Sequence, residues 1–216
     1  MHSASVDNPT DFFVRAFRAA LIAEGIQVSG DGVDIDDLSP KPSRSGARVL
    51  AARPSPPLSQ LATSMMKISQ NQYATMLLKK LGKPAARDAL RRLGVEDDSY
   101  IMADGSGLSR YNYVTAETLV RLLQQMHQRP EHASAFVHTL PIAGRDGTLA
   151  RRLSGTPAEG KVRAKSGTID NARALSGYVE TAAGEMLAFS IIANNFGSSP
   201  ADIDAAVDKA LVRLAR

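Results

Sequence analysis

Val162-Arg163-Ala164-Lys165-Ser166-Gly167-Thr168-Ile169 is the stretch that decides the fold. Its opening alternates apolar and polar residues, the period of a half-buried strand. Two more strand-like segments follow, Ala172 to Glu180 and Met186 to Asn194. Between them, Ala182-Ala183-Gly184-Glu185 has the composition of a hairpin connection. Ser199-Pro200 then suits a helix start, with a serine to cap and a proline in the first turn. Ile203, Val207, Ala210, Leu211 and Leu214 fall on one face of that helix. The C-terminal part therefore reads as an antiparallel sheet covered by a terminal helix.

Upstream of the sheet the pattern is helical. Asn8-Pro9 opens a helix whose apolar stripe is Phe13, Phe17, Ala20 and Leu21, and Gly25 stops it. Residues 26 to 46, rich in Asp, Ser, Gly and Pro, read as a surface connection with short strands around Ile26-Gln27-Val28. Arg48 to Ala52 reads as another strand. Ser55-Pro56-Pro57 starts a helix expected to bury Leu58, Leu61, Met65 and Ile68. After a break at Ser69-Gln70-Asn71, the next helix is expected to turn Tyr73, Ala74, Leu77, Leu78 and Leu81 inward and to end at Gly82. Lys83-Pro84 restarts a short helix that closes at Gly94. Strand-like Tyr100-Ile101-Met102 leads into the loop Asp104-Gly105-Ser106-Gly107. Thr115 caps a helix burying Leu119, Leu122, Leu123 and Met126, and a further helix runs from about Glu131 to Thr139. A helical half followed by a run of strands is the α+β order of elements. The expected organisation is a single domain over 1–216, with an entry helix and connecting segment at 1–54 and the helical subdomain, sheet and terminal helix at 55–216.

Composition narrows the functions open to such a fold. The 216 residues are 44% hydrophobic and 22% charged, ordinary values for a chain that buries a core. No apolar run is long enough to span a membrane. Met1 to Asp7 lacks the basic start and apolar stretch of a signal peptide. The expectation is a cytoplasmic chain, or one whose export segment is not part of this sequence. With no cysteine, disulfides, thiolate metal sites and a cysteine nucleophile are excluded. The four histidines, His2, His127, His132 and His138, lack zinc-like spacing with carboxylates, so no metal or other cofactor is expected. The net charge is +4, but the basic residues are spread over helix surfaces and aromatics are 5% with no Trp. That is a solvated face and not a nucleic-acid footprint.

Two triplets carry the chemistry. Ser69-Gln70-Asn71 falls between two helices, and Lys165-Ser166-Gly167 falls on a strand. Each alone has a structural reading, as a helix end and restart or as a polar strand end. Their order among other segments lifts them. Asp104-Gly105-Ser106-Gly107-Leu108-Ser109-Arg110 is followed by Leu140-Pro141-Ile142-Ala143-Gly144 and then Asp146-Gly147-Thr148-Leu149. Lys165-Ser166-Gly167-Thr168 and Leu175-Ser176-Gly177-Tyr178-Val179 complete the series. This series closely resembles the D-alanyl-D-alanine carboxypeptidase/endopeptidase family of low-molecular-mass penicillin-binding proteins, from about Val6 to the C-terminus. The resemblance implies a β-lactamase-like fold, a helical subdomain against a five-stranded antiparallel sheet. It also implies an exported, periplasmic enzyme acting on peptidoglycan stem peptides and recognising β-lactams.

The resemblance carries roles onto these residues. Lys165 would supply positive charge for the substrate carboxylate and for proton positions around Ser69, whose hydroxyl would shuttle a proton to the leaving amine. The Asn71 amide would bind the substrate peptide carbonyl. Ser166, more often threonine in the family, would hydrogen-bond the carboxylate. Gly167 would let the substrate backbone lie close to the strand, and the Thr168 N–H would be an oxyanion donor. The family's nucleophile lies in a Ser-x-x-Lys motif. Its one literal match upstream of Ser69 is Ser64-Met65-Met66-Lys67, and a helix starting near Ser55-Pro56 sets Ser64 deep inside it. There its N–H belongs to the helix ladder and cannot serve an oxyanion hole. The expectation is therefore a C-terminal part of the catalytic domain, incomplete at its N-terminus, with the nucleophile outside this chain. An apolar strand at Met186 to Asn194 would then be left unpaired, an edge for a homodimer or a complementing N-terminal segment. A non-catalytic module that binds peptidoglycan peptides is the alternative.

Overall fold

The computed structural model describes residues 5–43 and 45–216. They form two compact units, Met1–Pro54 and Ser55–Arg216. The first unit is built on helix α1, Pro9–Ala23. Asn8 caps it by accepting from the backbone N–H of Thr10 and Asp11. The stretches around Ile26-Gln27-Val28 and Arg48 to Ala52 are not strands. In the first of these stretches Arg18 donates to the Gly30 and Val28 carbonyls, so a side chain holds that backbone in place of a ladder. Phe13 and Phe17 stack on each other with centroids 6.0 Å apart, and both are exposed.

In the second unit, helices α2 (Leu58–Lys67), α3 (Asn71–Leu81) and α4 (Lys83–Arg92) precede a two-stranded ladder. That ladder pairs β1 (Tyr100–Ile101) with β2 (Tyr113–Val114). Helices α5 (Ala116–His127) and α6 (Pro130–Thr139) follow. Strands β3 (Val162–Ile169), β4 (Ala172–Glu180) and β5 (Met186–Asn194) then form an antiparallel sheet in that order, and α7 (Pro200–Leu214) ends the chain. Ser199 and Asp202 close a reciprocal capping box on α7. Thr115 caps α5 through the Thr118 N–H.

Side-chain alternation gives the sheet two buried faces. Val162 and Ala164 of β3, Leu175 and Val179 of β4 and Phe189 of β5 join Leu211 of α7 and Leu149 in one cluster. On the other face Tyr178 packs with Leu123 of α5 and Leu140. Each fully buried large side chain contributes about 1.5–3 kcal/mol relative to exposure. Helices at the cleft end bury less than their periodicity predicts. Leu58 and Ile68 of the α2 segment and Tyr73 and Leu81 of α3 are exposed, as is Leu214 of α7. Leu58 and Leu81 line the cleft described next, so this part of the apolar stripe faces a groove instead of a closed core.

Candidate active site

A cleft of about 1020 Å³ opens between the α2–α3 junction, the 104–108 loop and strand β3. Ser69, Asn71, Lys165, Ser166, Gly167 and Thr168 all line it. Residues chosen from two distant sequence motifs thus converge on one cavity. Its remaining surface is mainly apolar, including Leu58, Met65, Leu77, Leu78 and Leu108.

Ser69 reaches this position through a helix-ending device. Helix α2 stops at Lys67, Ser69 adopts a left-handed conformation with φ of +56°, and the Gln70 N–H returns to the Met65 carbonyl at 3.0 Å. This is the 6→1 bond of a Schellman ending, in which glycine usually takes the left-handed position. A serine there holds its hydroxyl over the cleft at a cost in backbone strain. Asn71 begins α3 immediately afterwards.

Lys165 stands on β3, on the face that packs against the helices. Its Nζ donates to Ser69 Oγ at 2.9 Å, bridging 96 residues of sequence, and to the Ser166 carbonyl at 2.6 Å. Burial pushes its amine below the ordinary lysine range. Among the described residues no carboxylate pairs with it within salt-bridge distance. The cleft therefore holds a partly desolvated cation whose hydrogen bonds go to neutral oxygens.

The other wall of β3 is set by backbone direction. The Ala164 N–H points away from β4 to the Pro141 carbonyl, and Ala143 N–H bonds the Val162 carbonyl. Backbone groups two residues apart on a strand point to the same edge. The Ser166 and Thr168 N–H groups therefore face the free edge of β3, toward the cleft. The Thr168 hydroxyl accepts from Arg173 on β4 at 2.7 Å, opposite it in the register. Gly167 has room for a methyl group, since a Cβ there meets nothing closer than Ala174 Cβ at 3.5 Å.

The 104–109 loop is equally fixed. Asp104 accepts from the N–H of Gly107 at 2.7 Å and of Ser109 at 2.9 Å, and from Asn112 Nδ2 at 3.0 Å. Desolvation raises its pKa, but the hydrogen bonds from Asn112, Gly107 and Ser109 outweigh that and hold the carboxyl below its usual range. Gly105 lies against α3 so closely that a Cβ would come 2.5 Å from the Ala74 carbonyl oxygen.

Ser64-Met65-Met66-Lys67 has a structural role. Ser64 is exposed within α2, and its carbonyl accepts from the Ile68 N–H. Lys67 Nζ donates to the Leu140 carbonyl at 2.9 Å and to Asp146 Oδ2 at 2.6 Å. Asp146 Oδ1 in turn accepts from the Ile142 N–H at 2.8 Å. This knot ties the end of α2 to the 140–149 segment.

Sequence reasoning placed Asp146-Gly147-Thr148-Leu149 in the motif series without a role for Thr148. The structure puts its hydroxyl 2.9 Å from Ser166 Oγ at the cleft wall. The signal available in the sequence was adjacency to Gly147, but the contact itself is tertiary.

A helical unit against an antiparallel sheet, with a Lys–Ser pair across the groove between them, defines the β-lactamase-like, penicillin-recognising class of fold. A β-lactamase from Sphaerobacter thermophilus, 19% identical, shares this fold with a TM-score of 0.58 over 95% of the chain. Within that class, the chain belongs to the D-Ala-D-Ala carboxypeptidase 3 (S13) family, which matches residues 1–216. It is 41% identical over 232 residues to a D-alanyl-D-alanine carboxypeptidase of Actinomadura sp. strain R39, covering 98% of this chain and 41% of that protein. It is 32% identical over 210 residues to the D-alanyl-D-alanine carboxypeptidase DacB of Haemophilus influenzae, covering 90% of this chain and 43% of that protein. The crystal structure of penicillin binding protein 4 from H. influenzae superposes with a TM-score of 0.83 at 29% identity, over 97% of this chain and 50% of that one. A second structure of the H. influenzae protein, complexed with a β-lactam, matches with a TM-score of 0.78. The chain thus spans less than half the length of these curated relatives.

Proposed function

We infer that these residues form the Ser-x-Asn and Lys-Ser-Gly walls of a serine D-Ala-D-Ala carboxypeptidase/endopeptidase site for peptidoglycan stem peptides. The observation that carries this reading is the Lys165–Ser69 contact, a cation without a carboxylate partner among the described residues, facing a strained serine across an apolar cleft. Such a cation attracts the terminal carboxylate of a peptide. The Ser166 hydroxyl and the free N–H groups of Ser166 and Thr168 offer further donors along the strand edge. Asn71 at the start of α3 faces the same groove and suits the peptide carbonyl.

In this reading a serine hydroxyl adds to the carbonyl carbon of the penultimate D-alanine. The tetrahedral oxyanion collects donors that include the Thr168 N–H. As the C–N bond breaks, the leaving nitrogen takes a proton through Ser69 Oγ, whose orientation Lys165 holds. Water then cleaves the acyl ester. The attacking serine is assigned outside residues 1–216, because Ser64 is a helix-interior residue and Lys67 is committed to Asp146. The 216 residues would then be one portion of a penicillin-recognising peptidase domain, with 1–54 its entry helix and connecting segment. The outer edge of β5, unpaired among the described residues, would take a strand from that same domain or from a second copy. A periplasmic location follows from the peptidoglycan substrate. No described helix is long and apolar enough to cross a membrane.

The test is a titration of the 216-residue chain with N-acyl-D-Ala-D-Ala, followed by the NMR signals of Ser69, Lys165 and Thr168. Shifts at these residues with the D,D-peptide and none with its L-terminal isomer are expected. A labelled β-lactam is expected to leave no covalent adduct on the chain. An adduct at Ser64 would overturn the assignment of the nucleophile, and indifference to the terminal stereocentre would sink the substrate class.

A further inference from the structure

Thr148 sits where two rigid features meet. Just before it, Gly147 is wedged against α2 with φ of +58°, and a Cβ there would fall 2.5 Å from the Lys67 carbonyl oxygen. Just after it, Leu149 is fully buried in the cluster beneath α7. The segment is further pinned by the Lys67–Asp146 ion pair and by backbone bonds from Ala143 and Ala164 that tie 141–143 to β3. Its backbone is thus held in place by its neighbours, and its exposed hydroxyl lies 2.9 Å from Ser166 Oγ. A group fixed this way positions its partner without itself moving.

The partner needs positioning. Serine has a single γ oxygen and three staggered wells at χ1, whereas a β-branched threonine is stiffer. A carboxylate only accepts hydrogen bonds, so Ser166 must donate its one proton to bind one. The Ser166 oxygen is then free to accept, and the Thr148 hydroxyl is in hydrogen-bond range to donate to it. A donor behind a donor polarises both bonds in the same direction.

We propose that Thr148 is the positioning residue of the carboxylate subsite: its hydroxyl donates to Ser166 Oγ, selects one Ser166 rotamer and turns the Ser166 proton toward the substrate's terminal carboxylate. The part concerning substrate rests on the functional reading above, and the rotamer part does not. Thr148 touches no reacting atom and acts through Ser166.

The experiment compares wild type with Thr148→Val, Thr148→Ser and the double variant Thr148→Val/Ser166→Thr, all in the 216-residue chain. The first readout is the Ser166 Hα–Hβ coupling by NMR, which reports χ1 without any ligand. The second is the affinity ratio between N-acetyl-D-Ala-D-Ala and its C-terminal amide. Thr148→Val is expected to give rotamer-averaged couplings and to weaken the acid by about tenfold, the effect of one hydrogen bond to a charged group, with the amide unchanged. Thr148→Ser keeps the donor and restores both values. In the double variant the stiffer threonine at 166 recovers most of the loss. Single-rotamer couplings in Thr148→Val would overturn the inference whatever the ligands do, as would a Thr148→Ser chain that behaves like Thr148→Val. If the wild type binds neither ligand, the functional reading of the cleft fails, and the couplings alone then decide the role of Thr148.

Discussion

Replacing Ser69 separates its backbone role from its hydroxyl role, because the two oppose each other. The residue occupies the left-handed position after α2 with φ of +56°. For a residue with a Cβ this costs about 1–2 kcal/mol, which glycine avoids at some entropic cost in the unfolded chain. Its hydroxyl accepts from the Lys165 ammonium at 2.9 Å. Losing that bond costs about 1 kcal/mol, since Lys165 keeps the Ser166 carbonyl and access to water. Ser69→Ala retains the strain and loses the bond, so it should be less stable than wild type by about 1 kcal/mol. Ser69→Gly loses the bond and the strain together, and should sit within about 0.5 kcal/mol of wild type. The glycine variant should therefore melt about 3 °C above the alanine variant by calorimetry at neutral pH, given the usual scaling for a chain of this size. Both should lose peptide binding to the same degree, because both lack the hydroxyl. An alanine variant as stable as the glycine variant would refute the argument that Ser69 is held in a strained conformation for its hydroxyl.

Two further outcomes concern titrating groups. Lys165→Met removes a partly desolvated ammonium with no carboxylate partner among the described residues and keeps the length of the side chain, so thermal stability should rise by about 0.5–1 kcal/mol while peptide binding is lost. Because the folded amine titrates below the ordinary 10.5, the unfolded chain binds the proton more tightly between the two values. Wild type therefore gains stability from this group as pH rises through that window, and Lys165→Met should lack the gain in pH-dependent melts. Tyr178 works in the opposite sense. Burial pushes its phenol from 10.0 up to about 12, and its hydroxyl donates to the Leu123 carbonyl at 2.7 Å. Its stabilisation is complete below pH 10 and is lost as pH rises toward 12. Tyr178→Phe should lower stability at neutral pH by about 1 kcal/mol and flatten the alkaline loss. An alkaline unfolding limb of unchanged steepness in Tyr178→Phe would count against this account.

The sheet was legible because its three strands carry alternation, a turn between the last two and a capped helix after them, all local signals. Thr115, Asn8 and Ser199 were legible as caps for the same reason. The ladder partner Tyr113–Val114 was not, since a two-residue strand has no period to read. The strands expected near Ile26 and Arg48 failed because no neighbouring strand among the described residues takes their backbone bonds. Buried stripes were over-read where a helix borders a groove. Leu58 and Leu81 have the periodicity of core residues, yet they remain open at the cleft. For the site, the sequence gathers its members by motif order, but it carries no trace of the left-handed Ser69 or of the Thr148–Ser166 contact. Both depend on where two remote segments end up, which composition does not encode.

What distinguishes the two candidate lysines is how completely each is satisfied. Lys67 belongs to the literal Ser-x-x-Lys match, yet its ammonium is mostly buried and holds a carboxylate and a carbonyl at once. A lysine so partnered is held as a charged structural cross-link, and its companion Ser64 points to solvent from a helix interior. Lys165 is also drawn out of water, but its oxygens are neutral and one of them is the strained Ser69. Desolvating a charge without a countercharge destabilises the fold, which is the cost that the proposed binding of a substrate carboxylate would offset. Both lysines belong to a serine-bearing motif, and counting motifs alone would rank them together. The hydrogen-bond partners tie Lys67 into the scaffold behind Ser69 and leave Lys165 in the cleft with neutral oxygens as its partners.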